Sequence, residues 1–183
     1  MDLIKPLIAS WEKKCNKIPF LFNLYARPYK SILKKEIALA NISEDDHILN
    51  VGCGAMPFTA IYLAKYTGAQ VWAIDRDQEV IKRAKYSIKN MGLEEKIQVL
   101  NADGIDFKKK KFTVAVVALQ AEPKDEILEN ILSVSKPGTR FVFRLARDCF
   151  SSQYDFLSKE YLPDATVKQR MITFNKSVMF LKK

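Results

Sequence analysis

The sequence predicts an α/β fold in which a mostly parallel sheet carries helices on both faces. From Asp46 onward, short apolar runs alternate with amphipathic stretches, as in strand–helix–strand units. The apolar, β-branched run at 112–119 is typical of a strand that is buried on both faces. Two adjacent apolar runs near the C-terminus predict a hairpin, which would place an antiparallel strand in the sheet.

The elements follow in a regular order. The first strand is predicted at His47–Val51 and leads directly into Gly52. Further strands are predicted at 70–74, 97–100, 112–119, 140–145, 166–174 and 176–181, and helices at 59–66, 77–91 and 124–135. Asn175 is the predicted hairpin turn, and Asp77 is the predicted N-cap of its helix.

The first 42 residues predict a helical extension ahead of a main domain at 43–183. Apolar residues at helical spacing predict one helix near the N-terminus and a second that begins after Pro28. These residues are Leu3, Leu7, Ile8 and Trp11 in the first helix, and Tyr29, Ile32, Leu33 and Leu39 in the second. The apolar stretch 18–22 is predicted to connect the two helices.

Composition excludes several classes of protein. Of the 183 residues, 48% are hydrophobic and 28% are charged, which is typical of a globular domain and not of a disordered chain. No stretch is long and apolar enough for a membrane span, and the N-terminus lacks the pattern of a secretory signal. Three cysteines and one histidine supply neither a disulfide framework nor a usual zinc site. We therefore expect a cytoplasmic protein that binds neither a metal nor a membrane.

The positive charge is concentrated at the two ends of the chain. The net charge of +9 divides into +5 for residues 1–40, +1 for residues 41–150 and +3 for residues 151–183. Basic ends can attract a polyanion such as RNA. Solvated, lysine-rich helices give the same pattern, so both interpretations stay open.

Glycines and acidic residues follow the predicted strands at the edge where α/β sheets bind ligands. Gly52 and Gly54 allow a tight turn and a close backbone approach, but the third glycine of a dinucleotide motif is absent. A nucleoside without a diphosphate suits such a turn. Asp75 ends the second strand, where a carboxylate can accept both ribose hydroxyls, and Asp103 after the third strand can accept an adenine amine. The alternatives are a helix cap for Asp75 and a simple turn for Asp103.

The series Val51-Gly52-Cys53-Gly54, Asp75 and Asn101-Ala102-Asp103-Gly104 resembles the class I S-adenosylmethionine-dependent methyltransferase superfamily. The resemblance covers roughly residues 45–183 and implies a Rossmann-like sheet of seven strands with an antiparallel last strand. It also implies S-adenosylmethionine as cofactor. The cofactor-binding positions that it implies are Gly52, Cys53, Gly54, Asp75, Arg76, Asp103, Gly104 and Ala118.

A narrower resemblance is to nicotianamine synthases and their archaeal relatives. It is carried by the loop Gly52–Thr59, by Ala121-Glu122-Pro123-Lys124 and by the ending 174–180. Those enzymes share the class I fold but transfer the aminocarboxypropyl group of S-adenosylmethionine instead of its methyl group. The N-terminal helical region is shorter here, and the segment after the fifth strand departs from the family pattern.

The candidate catalytic residues are Glu122 and Tyr29. Glu122, at the mouth of the fourth strand, can orient or deprotonate an amine, or it can simply favour the dipole of the helix that follows. Tyr29 can close the site from above or pack as a buried helix aromatic. Arg144 and Arg147 can hold a substrate carboxylate, or they can be surface charges. Cys53 is expected to pack rather than act as a nucleophile.

The sequence therefore favours aminocarboxypropyl transfer to a small amine or amino acid. One alternative is a methyltransferase on the same fold that acts on a small molecule or on RNA. A second alternative is a non-catalytic domain that binds an adenosine ligand. Function depends on the site and not on the architecture alone.

Overall fold

The computed structural model describes residues 19–108 and 111–183, with side chains described from residue 29 onward. The strands are β1 (His47–Val51), β2 (Gln70–Asp75), β3 (Ile97–Asn101), β4 (Val114–Val117), β5 (Arg140–Ala146), β6 (Ala165–Lys168) and β7 (Phe174–Leu181). The helices are α1 (Pro19–Leu39), α2 (Phe58–Thr67), α3 (Gln78–Asn90) and α4 (Lys124–Val134), with a 3-10 turn at Asp148–Phe150.

All seven strands form one sheet in the order β3-β2-β1-β4-β5-β7-β6. Strands β1 to β5 pair in parallel, whereas β7 is antiparallel to both β5 and β6. The predicted fold class is confirmed, including the antiparallel last strand. Because β1 lies between β2 and β4, the strand order reverses there, and such a switch point forms a crevice at the carboxyl ends of the strands.

The sheet separates two hydrophobic layers. Side chains alternate along β1, so Ile48 packs in one layer while Leu49 and Val51 pack in the other. The first layer contains buried residues of α1, α2 and α3, and the second contains those of α4. Both faces are therefore covered, as expected for a parallel sheet.

Helix α1 begins earlier in the chain than the sequence predicts. The predicted connection at 18–22 is wrong, because the helix begins at Pro19 and passes through Pro28. A proline at the first helical position costs little, since its missing N–H would have no intrahelical partner there. Pro19 therefore marks the start, and Pro28 is a tolerated interior proline. No described helix is both long and apolar enough to cross a bilayer.

The first predicted helix lies outside the described residues, and the division into an extension and a main domain stays a prediction.

Two lysine side chains of α1 contact aromatic rings of α2. Lys30 Nζ lies 5.6 Å from the centroid of the Tyr62 ring, and Lys34 Nζ lies 5.9 Å from that of Tyr66. These distances are within the range of cation–π contacts, so both lysines contribute to packing between the two helices.

The C-terminal hairpin is longer at its turn than predicted. Strand β6 ends at Lys168 and β7 begins at Phe174, so Asn175 lies inside a strand and not at the turn. Within this longer turn, Arg147 Nε and Nη2 donate to the Met171 carbonyl at 3.0 and 2.9 Å, which ties the turn to the end of β5.

We predict that Asp77→Ala destabilises the fold without changing it. The Asp77 side chain caps α3 by accepting the backbone N–H groups of Glu79 at 2.8 Å and Val80 at 3.5 Å, as predicted. Loss of an aspartate N-cap costs about 1 kcal/mol. Denaturant unfolding should show this loss, whereas Asp45→Ala at an exposed position should change the free energy of unfolding by less than about 0.5 kcal/mol. Equal stabilities of the two variants would contradict the role of the cap.

Candidate functional site

The carboxyl ends of β1, β2 and β4 converge at the switch point. The N–H of Gly52 donates to the Ile74 carbonyl at 2.9 Å, which extends the pairing of β1 with β2 by one residue. On the other side, the N–H of Ala118 donates to the Val51 carbonyl at 3.0 Å. The turn after β1 is therefore held between the ends of its two neighbours.

This turn requires glycine at both predicted positions. Gly52 and Gly54 have φ of +74° and +70°, a region that disfavours side chains. A Cβ on Gly52 would also lie only 3.3 Å from that of Ala118. Gly104 is restricted by packing instead, because a Cβ there would lie 2.8 Å from Val51 Cγ1. Bare backbone thus lines the crevice.

Asp75 braces this turn through its carboxylate. One oxygen accepts the N–H of Gly54 at 3.0 Å, and the other accepts the N–H of Asp77 at 3.1 Å. Asp77, and not Asp75, provides the helix cap. Each carboxylate oxygen can accept further hydrogen bonds, so Asp75 keeps capacity for a ligand hydroxyl. Asn101 steadies the same segment, since its amide donates to the Asp75 and Arg76 carbonyls at 3.0 and 3.1 Å.

A first cavity of about 280 Å³ opens at this edge. Its described lining residues are Val51, Gly52, Gly54, Ala55, Asp75, Arg76, Asp77, Val80, Ala102, Asp103, Gly104, Gln120, Ala121, Glu122 and Ile127. They include four carboxylates and one guanidinium, so the wall carries a net charge of about −3. Arg76 Nη1 donates to the Glu122 carbonyl at 3.3 Å, and this contact joins the ends of β2 and β4 across the cavity.

A second cavity of about 120 Å³ adjoins the first and shares Gly52, Gly54 and Gln120 with it. Its other described lining residues are Tyr29, Cys53, Met56, Phe58, Thr59, Ala118, Leu119, Arg144, Tyr154, Thr173 and Phe174. Helix α1 supplies Tyr29, and the connection from β5 to β6 supplies Tyr154. Two neighbouring compartments therefore meet at the glycine turn.

An ion pair between Arg144 and Glu36 lies buried beside the second cavity. Arg144 donates to the two Glu36 oxygens at 2.8 and 2.7 Å and to Thr59 Oγ1 at 3.0 Å. Burial lowers the pKa of Arg144, but the charge of Glu36 and the hydrogen bonds to it raise that pKa above its ordinary value. Arg144 is 3% exposed and is not a surface charge. Arg147 binds the Met171 carbonyl, as described above.

Lys124 holds the turn that separates the two cavities. Its side chain is fully buried, and Nζ donates to the carbonyls of Leu119 and Ala121 at 2.9 Å each. Its backbone N–H donates to Asp155 Oδ2 at 2.6 Å. Lys124 therefore links the end of β4, the start of α4 and the segment that carries Tyr154.

The eight implied cofactor-binding residues and the two candidate catalytic residues all lie at one cavity or the other, whereas Arg147 borders neither. The first cavity is bordered by Gly52, Gly54, Asp75, Arg76, Asp103, Gly104 and Glu122, and the second by Tyr29, Cys53 and Ala118 together with both turn glycines. The sequence did not identify Tyr154, which lies in a segment without a motif. Phe174 opens the ending 174–180, but its place in a cavity wall was not predicted. A buried role for Lys124 was also missed, although it lies within the motif Ala121–Lys124.

Comparisons with known proteins agree with this geometry. A family model described as a methyltransferase domain matches residues 48–138. An L-histidine 2-aminobutanoyltransferase of Yersinia pestis is 32% identical over 77 residues, which are 42% of this chain and 29% of that protein. The chain thus spans less than half the length of the curated transferases from Yersinia pestis and Pseudomonas aeruginosa that it matches.

Two solved structures illustrate the likeness in fold. A mutant of MtNAS in complex with S-adenosylmethionine has a TM-score of 0.82 at 21% identity, over 93% of this chain and 70% of that chain. An RNA methyltransferase from Salinibacter ruber in complex with S-adenosyl-L-homocysteine has a TM-score of 0.68 at 20% identity, over 84% and 91%. Together with the matching family model, these likenesses confirm the resemblance to S-adenosylmethionine-dependent methyltransferases that the sequence motifs indicated.

We predict that Cys53 resists alkylation in the native protein. Burial, followed by the negative charge of Asp75, raises the pKa of the Cys53 thiol well above its ordinary value. Because the thiolate is the nucleophile, Cys53 should stay unmodified by iodoacetamide at about pH 8 while the exposed Cys149 reacts. Peptide mass spectrometry distinguishes the two sites, and unfolding in urea should make both reactive. Equal native labelling would contradict the packed environment of Cys53.

Proposed function

We propose that this chain, which resembles the class I S-adenosylmethionine-dependent methyltransferase superfamily, transfers the aminocarboxypropyl group of S-adenosylmethionine to a small amine or amino acid. The observation that carries the proposal is the pair of cavities that meet at the Gly52–Gly54 turn. An acidic compartment suited to a nucleoside lies beside a compartment that can receive an acceptor. The reaction would take place where the two meet.

The lining of the first cavity suits S-adenosylmethionine. Gly52, Gly54 and Gly104 contribute backbone without side chains to its wall, which permits a flat nucleoside to approach closely. Asp75 would accept the ribose hydroxyls, and Asp103 would accept the adenine amine. A wall with a net charge of about −3 favours a cationic sulfonium and disfavours a nucleoside phosphate. Of the other predicted cofactor-binding residues, Arg76 borders the first cavity, and Cys53 and Ala118 border the second.

One comparison supports aminocarboxypropyl transfer over methyl transfer. The curated relatives from Yersinia pestis and Pseudomonas aeruginosa are named as L-histidine 2-aminobutanoyltransferases. The motif Ala121–Lys124, on which the narrower resemblance depends, forms the turn between the two cavities.

The protein has to supply orientation and a proton acceptor. When bound, S-adenosylmethionine supplies an activated sulfonium leaving group. The two cavities would hold the acceptor nitrogen and the electrophilic carbon at the separation of about 3–3.5 Å that reaction requires. Glu122, which lies in the wall of the first cavity near the shared Gln120, would accept the proton of the amine. Tyr29 would close the second cavity from the side of α1.

We predict that S-adenosylmethionine stabilises the protein and that Asp75→Ala abolishes the effect. Ligand at about 100 times Kd contributes about 2.7 kcal/mol, which raises Tm by roughly 5–10 °C for a domain of this size. Asp75→Ala removes the proposed ribose acceptor and the brace on Gly54. Asp45→Ala, an exposed change away from the site, should keep the full rise. An unchanged Tm of the wild-type protein at millimolar ligand would contradict the cofactor assignment.

We predict that incubation with small amines yields methylthioadenosine and that Glu122→Gln slows its formation by at least about tenfold, since general bases contribute roughly 10²–10⁴. Binding of S-adenosylmethionine should persist in this variant. Glu126→Gln is the matched control, because it also removes a carboxylate near the start of α4 but lies outside both cavities.

Chromatography of the nucleoside product distinguishes the alternatives. S-adenosylhomocysteine as the sole product would establish methyl transfer in place of aminocarboxypropyl transfer. Neither product, with binding intact, would favour the non-catalytic alternative. Equal slowing in Glu122→Gln and Glu126→Gln would assign Glu122 to the helix dipole and not to the amine.

A further inference from the structure

We propose that Gln120 binds the carboxylate of the aminocarboxypropyl group of S-adenosylmethionine and thereby presents the γ-carbon of that group to the acceptor. The inference rests on the proposed function, because it names the residue that selects which carbon of the cofactor reacts. Three observations carry it: the position of Gln120 between the two cavities, the hydrogen bonds that already engage the neighbouring donors, and the charge of the cavity walls.

Gln120 is held in its backbone and exposed in its side chain. It follows β4 and borders both cavities, together with Gly52 and Gly54. Of these three shared residues, Gln120 is the one that carries a side chain. Lys124 Nζ binds the two carbonyls that flank it in the chain, at 2.9 Å each. Because the residue is exposed, a fixed turn offers its amide at the rim of both cavities.

The N–H groups of the neighbouring turn already have partners. Those of Gly52 and Cys53 both donate to the Ile74 carbonyl, at 2.9 and 3.0 Å. That of Gly54 donates to the Asp75 carboxylate at 3.0 Å. A carboxylate accepts hydrogen bonds and donates none, so it needs donors that are not engaged elsewhere. These three N–H groups do not supply them.

Neither of the two arginines among the described lining residues belongs to the shared rim. All three guanidinium nitrogens of Arg144 donate within the protein, Nε and Nη2 to Glu36 and Nη1 to Thr59. Arg76 lies between two aspartates in the chain and borders the first cavity alone. Gln120 is therefore the donor at the rim itself, and Arg76 is the alternative ligand for the carboxylate.

The charge of the walls orients a group that carries both an ammonium and a carboxylate. The wall of the first cavity, with a net charge of about −3, attracts the ammonium and repels the carboxylate. The buried pair of Arg144 and Glu36 leaves the adjoining wall of the second cavity without a net charge. At the exposed rim a carboxylate keeps part of its hydration and gains the N–H donors of Gln120. We therefore expect the carboxylate at Gln120 and the ammonium on the side of the first cavity.

This position determines which carbon on sulfur meets the acceptor. With adenosine in the first cavity and the carboxylate at Gln120, the carbons between sulfur and carboxylate would cross the rim that the cavities share. The acceptor nitrogen forms its bond to the γ-carbon, and the bond from that carbon to sulfur breaks. The electron pair of the broken bond stays on sulfur, which becomes a neutral thioether. The nitrogen then gives one proton to Glu122.

Calorimetry with S-adenosylmethionine and its decarboxylated analogue tests the contact independently of turnover, since the two ligands differ by one carboxylate. Gln120→Leu should weaken S-adenosylmethionine at least about fivefold, because a hydrogen bond to a charged group is lost. It should leave the affinity for the analogue unchanged. Gln120→Glu keeps the size of the side chain but replaces the amide donor by a carboxylate. It should weaken S-adenosylmethionine at least as much as Gln120→Leu does and should not weaken the analogue.

Two further variants complete the test. Gln98→Leu removes an exposed amide from β3, outside both cavities, and should change neither affinity. Equal losses for the two ligands in Gln120→Leu would give Gln120 a merely structural role and overturn the inference, as would unchanged binding. A loss confined to S-adenosylmethionine in Arg76→Gln and absent from Gln120→Leu would also overturn it, because Arg76 would then hold the carboxylate.

The product assay separates this inference from the proposed function. At saturating S-adenosylmethionine, Gln120→Leu should form methylthioadenosine at least about fivefold more slowly than Gln98→Leu, since the γ-carbon is no longer oriented. Methylthioadenosine formation with equal S-adenosylmethionine binding in both variants would keep aminocarboxypropyl transfer and overturn the role of Gln120. S-adenosylhomocysteine as the sole product, with a loss of binding confined to S-adenosylmethionine in Gln120→Leu, would overturn the transfer chemistry and keep the contact with the carboxylate.

Discussion

The carboxylate of Asp75 joins three segments of the candidate site: the end of β2, the turn after β1 and the start of α3. Its two oxygens accept N–H groups from Gly54, in the turn after β1, and from Asp77, which caps α3. One side chain at the end of β2 therefore fixes the neighbouring turn and the start of the following helix. The left-handed glycines permit that geometry, and the central position of β1 brings the turn between β2 and β4. A ligand at this edge meets donors and acceptors that are already held in place.

The sequence was sufficient for most of the sheet and for part of the cavity walls. Strand periodicity predicted β1 to β5 and α2 to α4 within a few residues, because each strand or helix buries a face with its own regular spacing. Seven predicted site residues border the first cavity, since they follow strand ends in a recognisable order. The start of α1 and the turn between β6 and β7 were not. A proline can begin a helix or lie within it, and the turn depends on Arg147, which is distant in sequence.

The second cavity as a whole could not be predicted, because its walls come from segments that are far apart in sequence. Its walls come from α1, from the turn after β4, from the segment that carries Tyr154 and from β7, and only tertiary contacts bring them together. Glu36 and Arg144 are 108 residues apart, and either one alone resembles an ordinary charged side chain. Lys124 is comparable, because its buried Nζ donates to two backbone carbonyls, and the sequence pattern does not reveal such contacts.

The buried pair between Glu36 and Arg144 is better understood as a positioning device than as a source of stability. Desolvation of two charges offsets most of their attraction, so an apolar pair of similar volume is often equally stable. The pair also adds direction to the packing, because two hydrogen bonds join Arg144 of β5 to Glu36 of α1 and a third joins Arg144 to Thr59 of α2. Ser177 on β7 also donates to Glu36 at 2.8 Å, which joins the antiparallel strand to the same network. Since α1 carries Tyr29, this network contributes to the position of that ring at the second cavity, and it does so without leaving an uncompensated charge in the wall.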